Sequence, residues 1–260
     1  MQEKLVKLRR FNLIMGFLHF IQGVMMLVLS LTRDKIIDFK PKIFSNFLTF
    51  DPVLERLVTD TRPLFDLPFG ILVSMFLFLS ALAHFIISVP KNTNDMYNRD
   101  LENGINQFRW YEYALSSSLM IVLIASLFGV FEIGSLILIF GLNATMNLFG
   151  LLMEKMNQGK EKTSWLSFIY GSIAGVIPWV IILLYGFGNT DPGEVPGFVY
   201  IIAGVYFVFF NLFPVNMILQ YKKVGKFKDY LYGERGYIIL SLLAKTLLAW
   251  LVLFGVMQPS

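Results

Sequence analysis

The chain has 260 residues, 56% of them hydrophobic and only 15% charged, and its mean hydropathy is +0.63. A transmembrane helix uses roughly 20 apolar residues, so seven need about 140 positions and the chain accommodates them. Composition excludes a soluble enzyme, a disordered chain and a nucleic-acid binder, because the pI of about 9.1 reflects a net charge of only +4 whose basic residues sit in short loops.

The apolar runs, in chain order, predict spans over residues 11–31, 68–89, 107–130, 133–153, 165–187, 198–219 and 237–257. Runs of this length are unlike the short alternating segments of a β-barrel. The expected fold is an all-α bundle of seven membrane helices, one domain over residues 1–260. The basic segment Met1–Arg10 ahead of the first run resembles the start of a signal peptide, but the run is longer than the usual 7 to 15 residues and reads as the first span. Residues 32–67 form the longest connection. Within it, Lys35–Phe50 is rich in β-branched and aromatic residues, which is compatible with a short β-hairpin or with a solvated loop. No cysteine is present, which excludes disulfides, thiolate catalysis and cysteine metal sites.

Basic residues orient the bundle. Fifteen fall on one side: Lys4, Lys7, Arg9 and Arg10; Lys91, Arg99 and Arg109; Lys155, Lys160 and Lys162; and Lys222, Lys223, Lys226, Lys228 and Arg235. Six fall on the other, all in the 32–67 connection: Arg33, Lys35, Lys40, Lys42, Arg56 and Arg62. The positive-inside rule then predicts a cytoplasmic N-terminus, an extracellular 32–67 loop and an extracellular C-terminus in a multi-pass cell-membrane protein.

Few ionisable groups remain at membrane depth, where each costs several kcal/mol unless it pairs or works. Lys245 lies eight residues beyond Tyr237, about 12 Å at 1.5 Å per residue, too deep to snorkel. Glu112 reaches a similar depth in the third span. The two can form a structural salt bridge. Alternatively, Lys245 is a desolvated amine that condenses with an aldehyde, with Glu112 as the carboxylate beside it. His19 and His84 are compatible with hydrogen-bonded packing residues or with axial haem ligands, though haem leaves Lys245 unexplained. A Schiff-base enzyme is disfavoured, since no second acid/base pair lies near Lys245. Asn143, Met146, Asn147 and Gly150 form one stripe of the fourth span, suited to helix packing or to a pocket wall. Glu154 and Glu234 can pair with Arg109 or stand as solvated interface charges.

A lysine in the last of seven spans, Arg109-Trp110-Tyr111-Glu112 in the third, and Pro214 preceded by Phe210 and Phe213 in the sixth resemble the microbial rhodopsins. Three departures separate the chain from the ion pumps among them. Ser241 occupies the position of their second carboxylate, Ile121-Val122-Leu123 the region of their proton donor, and the N-terminus is expected inside. With Glu112 as single counterion, His19, His84 and the long first connection, the whole chain resembles the heliorhodopsins. That resemblance implies all-trans retinal on Lys245 as a protonated Schiff base with Glu112 as sole carboxylate counterion. Ser80, Tyr113, Ser117, Asn143, Met146, Gly150, Trp179, Phe210 and Ser241 are expected around the chromophore. His19, His84 and Arg109 are expected to form a polar, proton-accepting cluster.

Neither catalytic nor metal-binding residues are expected. Apart from retinal and the lipid bilayer, the expected partners are a second copy, forming a homodimer, and an unidentified signalling partner, with no nucleic acid. The function implied is photosensory signalling without ion pumping. A light-driven proton or ion transporter is the alternative, and it requires groups on both sides of the chromophore. The third span has no ionisable residue between Glu112 and Glu132, and the seventh has none after Lys245.

Overall fold

A computed structural model describes residues 1–188 and 197–257. The connection between the fifth and sixth spans and the C-terminal end at Ser260 lie outside the described residues. The helices are α1 (Gln2–Thr32), α2 (Asp34–Asp38), α3 (Phe69–Ser88), α4 (Lys91–Glu102), α5 (Gln107–Leu127), α6 (Ile133–Asn157), α7 (Leu166–Phe187), α8 (Gly197–Tyr221) and α9 (Tyr230–Met257). Among the described residues, α1, α3, α5, α6, α7, α8 and α9 are long and apolar enough to cross a membrane. They correspond one to one with the predicted spans.

Two helices begin well before their apolar runs. In α1 the basic segment continues the helix, because Leu5 and Leu8 bury against Ile87 of α3 and Tyr97 and Leu101 of α4. Arg9 Nε, on the same extension, donates to the Ser88 carbonyl at 2.7 Å. α9 starts at Tyr230, seven residues before the predicted Tyr237, and the added turns carry buried Glu234. There α8 lies against α9 so closely that a Cβ on Gly233 would stand 2.3 Å from the Gln220 side chain, and Asn216 Nδ2 donates to the Gly233 carbonyl at 3.1 Å.

α4 is amphipathic, burying Asn94, Tyr97 and Leu101 on one face. Asn94 Nδ2 donates to the Ile87 carbonyl at 2.8 Å, satisfying the C-terminal end of α3. Burial holds the Tyr97 phenol well above its usual range, so it stays a neutral hydroxyl and accepts from Asn12 Nδ2 at 3.3 Å.

The long first connection contains an antiparallel hairpin, β1 (Lys42–Asp51) and β2 (Arg56–Asp66), reaching farther along the chain than the aromatic segment suggested. Its turn is built on Asp51, whose Oδ1 accepts from the Val53 and Leu54 amides at 2.8 and 3.0 Å, and on Glu55 with φ 47°. The hairpin is anchored to the α5–α6 connection. Phe44 N donates to the Phe131 carbonyl at 3.1 Å, and Ser45 Oγ donates to Glu132 Oε1 at 3.1 Å. Glu132 also caps α6 by accepting from Ser135 N at 2.8 Å, and the backbone N–H groups of Ser135 and Gly134 hold its carboxyl below the usual range.

Neighbouring helices pack in the order α1, α3, α5, α6, α7, and α9 packs on α8 and α1. Their main apolar core includes Phe76, Leu77, Ile121, Ile139, Ile182 and Leu248. Pro178 and Pro214 interrupt α7 and α8, and Trp179 beside the first proline packs edge-on against Phe207 and Phe210 of α8. α5 starts at Gln107 because the Asn106 side chain accepts from Arg109 N at 3.0 Å, and it ends at Leu127, short of the predicted Val130, ahead of Gly129 with φ +87°.

Candidate functional site

Three helices bring their membrane-depth polar residues together. Ser241 and Lys245 lie one turn apart on α9, Ser80 and His84 one turn apart on α3, and Glu112 projects from α5. Lys245 Nζ donates to Ser80 Oγ at 2.5 Å, to Glu112 Oε1 at 2.6 Å and to Ser241 Oγ at 3.1 Å, using all three ammonium donors. Ser80 passes its own proton on, donating to Glu112 Oε1 at 2.6 Å. Lys245 is 3% exposed and Glu112 9%, so this is a buried ion pair. The Tyr113 ring stands 5.3 Å from Nζ, and its hydroxyl donates to the Tyr237 carbonyl at 3.0 Å.

A cavity of about 380 Å³ runs from Lys245 between α5, α6, α7 and α8, within the range of about 300–1,000 Å³ of small-molecule pockets. Tyr113, Ser117, Met146, Gly150, Trp179, Phe210 and Ser241 line it, as the sequence reading expects. Its walls also include Trp110, Asn147, Phe213, Gly171 and Gly175. The glycines make room by close approach. A Cβ on Gly150 would lie 2.2 Å from the Trp110 ring, and one on Gly175 would lie 2.3 Å from Met146 Sδ. Val176, Val180 and Phe207 line the cavity and are also exposed, so it reaches the outside of the bundle between α7 and α8. A long, mostly apolar space ending at a buried amine fits an elongated polyene aldehyde: the aldehyde meets Lys245, and carbon-rich walls face the chain.

Two residues expected around the chromophore are placed differently. Ser80 bonds Lys245 and Glu112 without lining the cavity. Asn143 does not line the cavity. It stands one turn from Asn147, with Nδ2 donating to Ser117 Oγ at 2.8 Å and Ser118 Oγ at 3.0 Å, and so positions the wall from behind. Arg109 lines one small cavity together with His84, but its hydrogen bonds go elsewhere. Its guanidinium bonds Glu154 of α6 and Glu234 of α9, and it lies 4.0 Å from the Tyr237 ring centroid and 4.8 Å from that of Trp110. Glu154 and Glu234, which the sequence left open as solvated interface charges, are 3% and 1% exposed. They form a buried network because α6 and α9 both extend past their apolar runs.

His84 Nδ1 lies 2.9 Å from Asn12 Oδ1 of α1, and the His19 ring stacks on that of His84 with centroids 5.6 Å apart. Among the described residues, neither nitrogen of buried His19 has a hydrogen-bond partner. Asn12, Tyr97 and Asn106 were not singled out in the sequence. Asn12 was detectable as an amide in an apolar run seven residues before His19, hence on the same helix face. Tyr97 and Asn106 carry no such signal, since both lie in the polar connection before α5. Among the described residues no cluster of three metal-ligating side chains occurs.

A search among curated proteins returns no match. The family model described as heliorhodopsin matches residues 8–257. The match covers nearly the whole chain, including the buried Lys245–Glu112 pair and every helix around the cavity, and the chain therefore belongs to the heliorhodopsins, seven-helix retinal-binding, light-sensing membrane proteins.

Proposed function

We propose that this heliorhodopsin is a photosensor that keeps its displaced proton inside the protein, with Lys245 as the attachment site and Glu112 as its only carboxylate counterion. The observation carrying this reading is the 2.6 Å Lys245–Glu112 contact at the closed end of the 380 Å³ cavity. When bound, all-trans retinal supplies visible absorption, light-driven isomerisation and, through its protonated Schiff-base linkage, a proton that light can displace.

The protein's residues do the rest. Glu112 stabilises positive charge at the Lys245 nitrogen, Ser80 and Ser241 fix the direction of its hydrogen bonds, and Trp179 and Phe210 confine the apolar chain. Polar groups gather on the side of Lys245 nearer the N-terminus, where Asn12, His84, Arg109 and Glu234 surround a second, smaller cavity. With no ionisable side chain after Lys245, α9 offers a proton no side-chain relay to the opposite surface. This asymmetry favours a sensor over a transporter. The proposed topology places the N-terminus in the cytoplasm and the C-terminus outside. A homodimer relaying the signal to a separate partner completes the reading.

The test is a visible spectrum of the protein expressed with all-trans retinal, before and after hydroxylamine. Wild type is expected to be coloured and to bleach, while Lys245→Ala inserts in the membrane but stays colourless. Pigment in Lys245→Ala without an added amine overturns the assignment. A steady light-driven current abolished by Glu112→Gln overturns the sensor reading.

A further inference from the structure

Between the Lys245–Glu112 pair and the Arg109 network lies a small cavity of about 40 Å³, whose polar lining residues include Ser80, His84, Asn106, Arg109, Glu112 and Glu234. At about 10–15 Å³ of such volume per water, it has room for about three waters, and its polar lining residues are the partners such waters need. Glu112 and Glu234 both line it, so a single small space with room for water borders both residues.

The two acids around Arg109 are not equivalent. Glu154 accepts from Asn106 N–H at 2.9 Å, Trp110 Nε1 at 2.7 Å, Tyr230 OH at 3.1 Å and the Arg109 guanidinium. Glu234 accepts from Asn106 Nδ2 at 2.5 Å and from Arg109. A carboxylate offers about four lone-pair sites, so Glu154 is saturated while Glu234, which lines the cavity, keeps acceptor capacity. Among the described residues, Arg109 is the one cation hydrogen-bonded to these two carboxylates, and the titratable groups of neighbouring elements, Tyr97, Tyr230 and Tyr237, bring no positive charge. With both carboxyls ionised, the network holds one negative charge more than the Arg109 guanidinium offsets, and it adjoins the cavity at Glu234.

We propose that Glu234 is the proton-exchanging carboxyl of this protein, joined to Lys245 and Glu112 by water in the polar cavity, and that the proton leaving the Lys245 nitrogen comes to rest on Glu234. The inference rests on the reading of Lys245 as the amine that carries the chromophore. An N–H bond breaks at Lys245, successive O–H bonds form and break along the waters, and an O–H bond remains on Glu234. The nitrogen loses its positive charge and Glu234 its negative one, leaving Arg109 paired one to one with Glu154. Net charge is unchanged, so nothing crosses the membrane. His84, with Nδ1 held by Asn12, borders the same cavity, where its ring would position water.

Two infrared experiments test this. In retinal-free protein in lipid, acid titration of wild type minus that of Glu234→Gln is expected to isolate one carboxylic C=O band. In Asn106→Ser, which keeps an oxygen to cap α5 but loses the amide donor to Glu234, that band moves to higher frequency. In the pigment, the light-minus-dark spectrum is expected to show a positive carboxylic C=O band rising as visible absorption is lost, absent in Glu234→Gln and shifted in Asn106→Ser.

A band that survives Glu234→Gln, or a wild-type intermediate that forms with no carboxylic band, overturns the proposal. So does an unshifted band in Asn106→Ser, which keeps the test decisive if Glu234→Gln does not fold. A wild-type protein that binds no retinal overturns the role of Lys245 and hence the source of the proton. The retinal-free titration still decides separately whether Glu234 is the exchanging carboxyl.

Discussion

Replacing Arg109 by Met probes the buried network where its electrostatics are most exposed to error. The guanidinium is 4% exposed and faces carboxylates that are 2% and 1% exposed, so the substitution strands two negative charges out of water. Breaking a buried ion pair by removing one partner costs about 3–5 kcal/mol. Met keeps much of the packing against Tyr237 and Trp110 but loses the cation–π attraction, worth about 2 kcal/mol where desolvated. Near 2–4 °C per kcal/mol for a chain of this size class, 3–5 kcal/mol lowers the melting temperature by about 6–20 °C. The assay is far-ultraviolet circular dichroism on heating, paired with unfolding in mixed micelles. The companion variant Arg109→Met, Glu154→Gln, Glu234→Gln replaces the whole cluster by neutral groups and is expected to recover most of the loss, because the damage lies in the uncompensated charge rather than in missing volume. A loss in Arg109→Met below about 1 kcal/mol, the worth of an exposed pair, refutes the reasoning. A triple variant no more stable than the single one refutes it too.

Glu112→Gln removes the negative charge 2.6 Å from Lys245 Nζ and is expected to move the absorption of the protonated pigment to the red; an unchanged spectrum places the counterion elsewhere. Gly150→Ala puts a methyl group where the Trp110 ring lies 2.2 Å away, so the ring shifts and loosens its 2.7 Å bond to Glu154, at about 1–3 kcal/mol of overpacking. Slower pigment formation and a lower melting temperature are expected, and wild-type values for both contradict the close approach. His84→Ala disturbs the wall of the polar cavity and is expected to change the lifetime of the deprotonated photointermediate without producing a steady photocurrent, measured by flash photolysis and by current recording. A tag after Ser260 is expected to react from outside intact cells and one before Met1 is not; reversed labelling overturns the fifteen-to-six distribution of basic residues as a guide to topology.

The seven spans are legible in the sequence because a membrane leaves no water to satisfy a backbone, so each crossing must be a continuous apolar helix of nearly fixed length. The same constraint makes Lys245 and Glu112 legible, since a charge at that depth must have a reason. Legibility ends where water returns. Outside the bilayer the periodicity of Leu5 and Leu8 is too short to announce a helix through Met1–Arg10, and the turns of α9 before Tyr237 contain Glu234 and Arg235, which read as a loop. α4 is polar overall and becomes helical by docking Tyr97 and Leu101, a tertiary effect that propensity does not contain. The hairpin has Pro63 inside its second strand and a register shift at Ile43/Phe44, both of which blur the alternation expected of a strand. The sequence offers pairing of Arg109 with Glu154 and Glu234 only beside the reading of solvated charges, because the two acids lie 80 residues apart and meet only when two helix extensions converge.

That convergence alters what the Arg-x-x-Glu spacing means. One turn on α5 places Arg109 beside Glu112, and spacing alone suggests that the arginine helps neutralise the counterion. Yet the guanidinium bonds Glu154 and Glu234, and the cation hydrogen-bonded to Glu112 is Lys245. Under the proposed function, loss of the proton at Lys245 leaves Glu112 without a hydrogen-bonded cation while the gain of a proton at Glu234 balances the arginine network. The surplus negative charge thus moves from one cluster to the other across the small polar cavity. Light energy is then stored as charge displaced between two internal sites, and the return of the proton to Lys245 is driven by the unpaired Glu112. Because Glu154, Glu234 and Asn106 tie α6, α9 and the α4–α5 connection to Arg109, the same displacement changes the bonds that hold those elements together at the N-terminal end of the bundle. A sensor with no through-membrane relay thereby has a physical route from a proton shift at Lys245 to the arrangement of its loops.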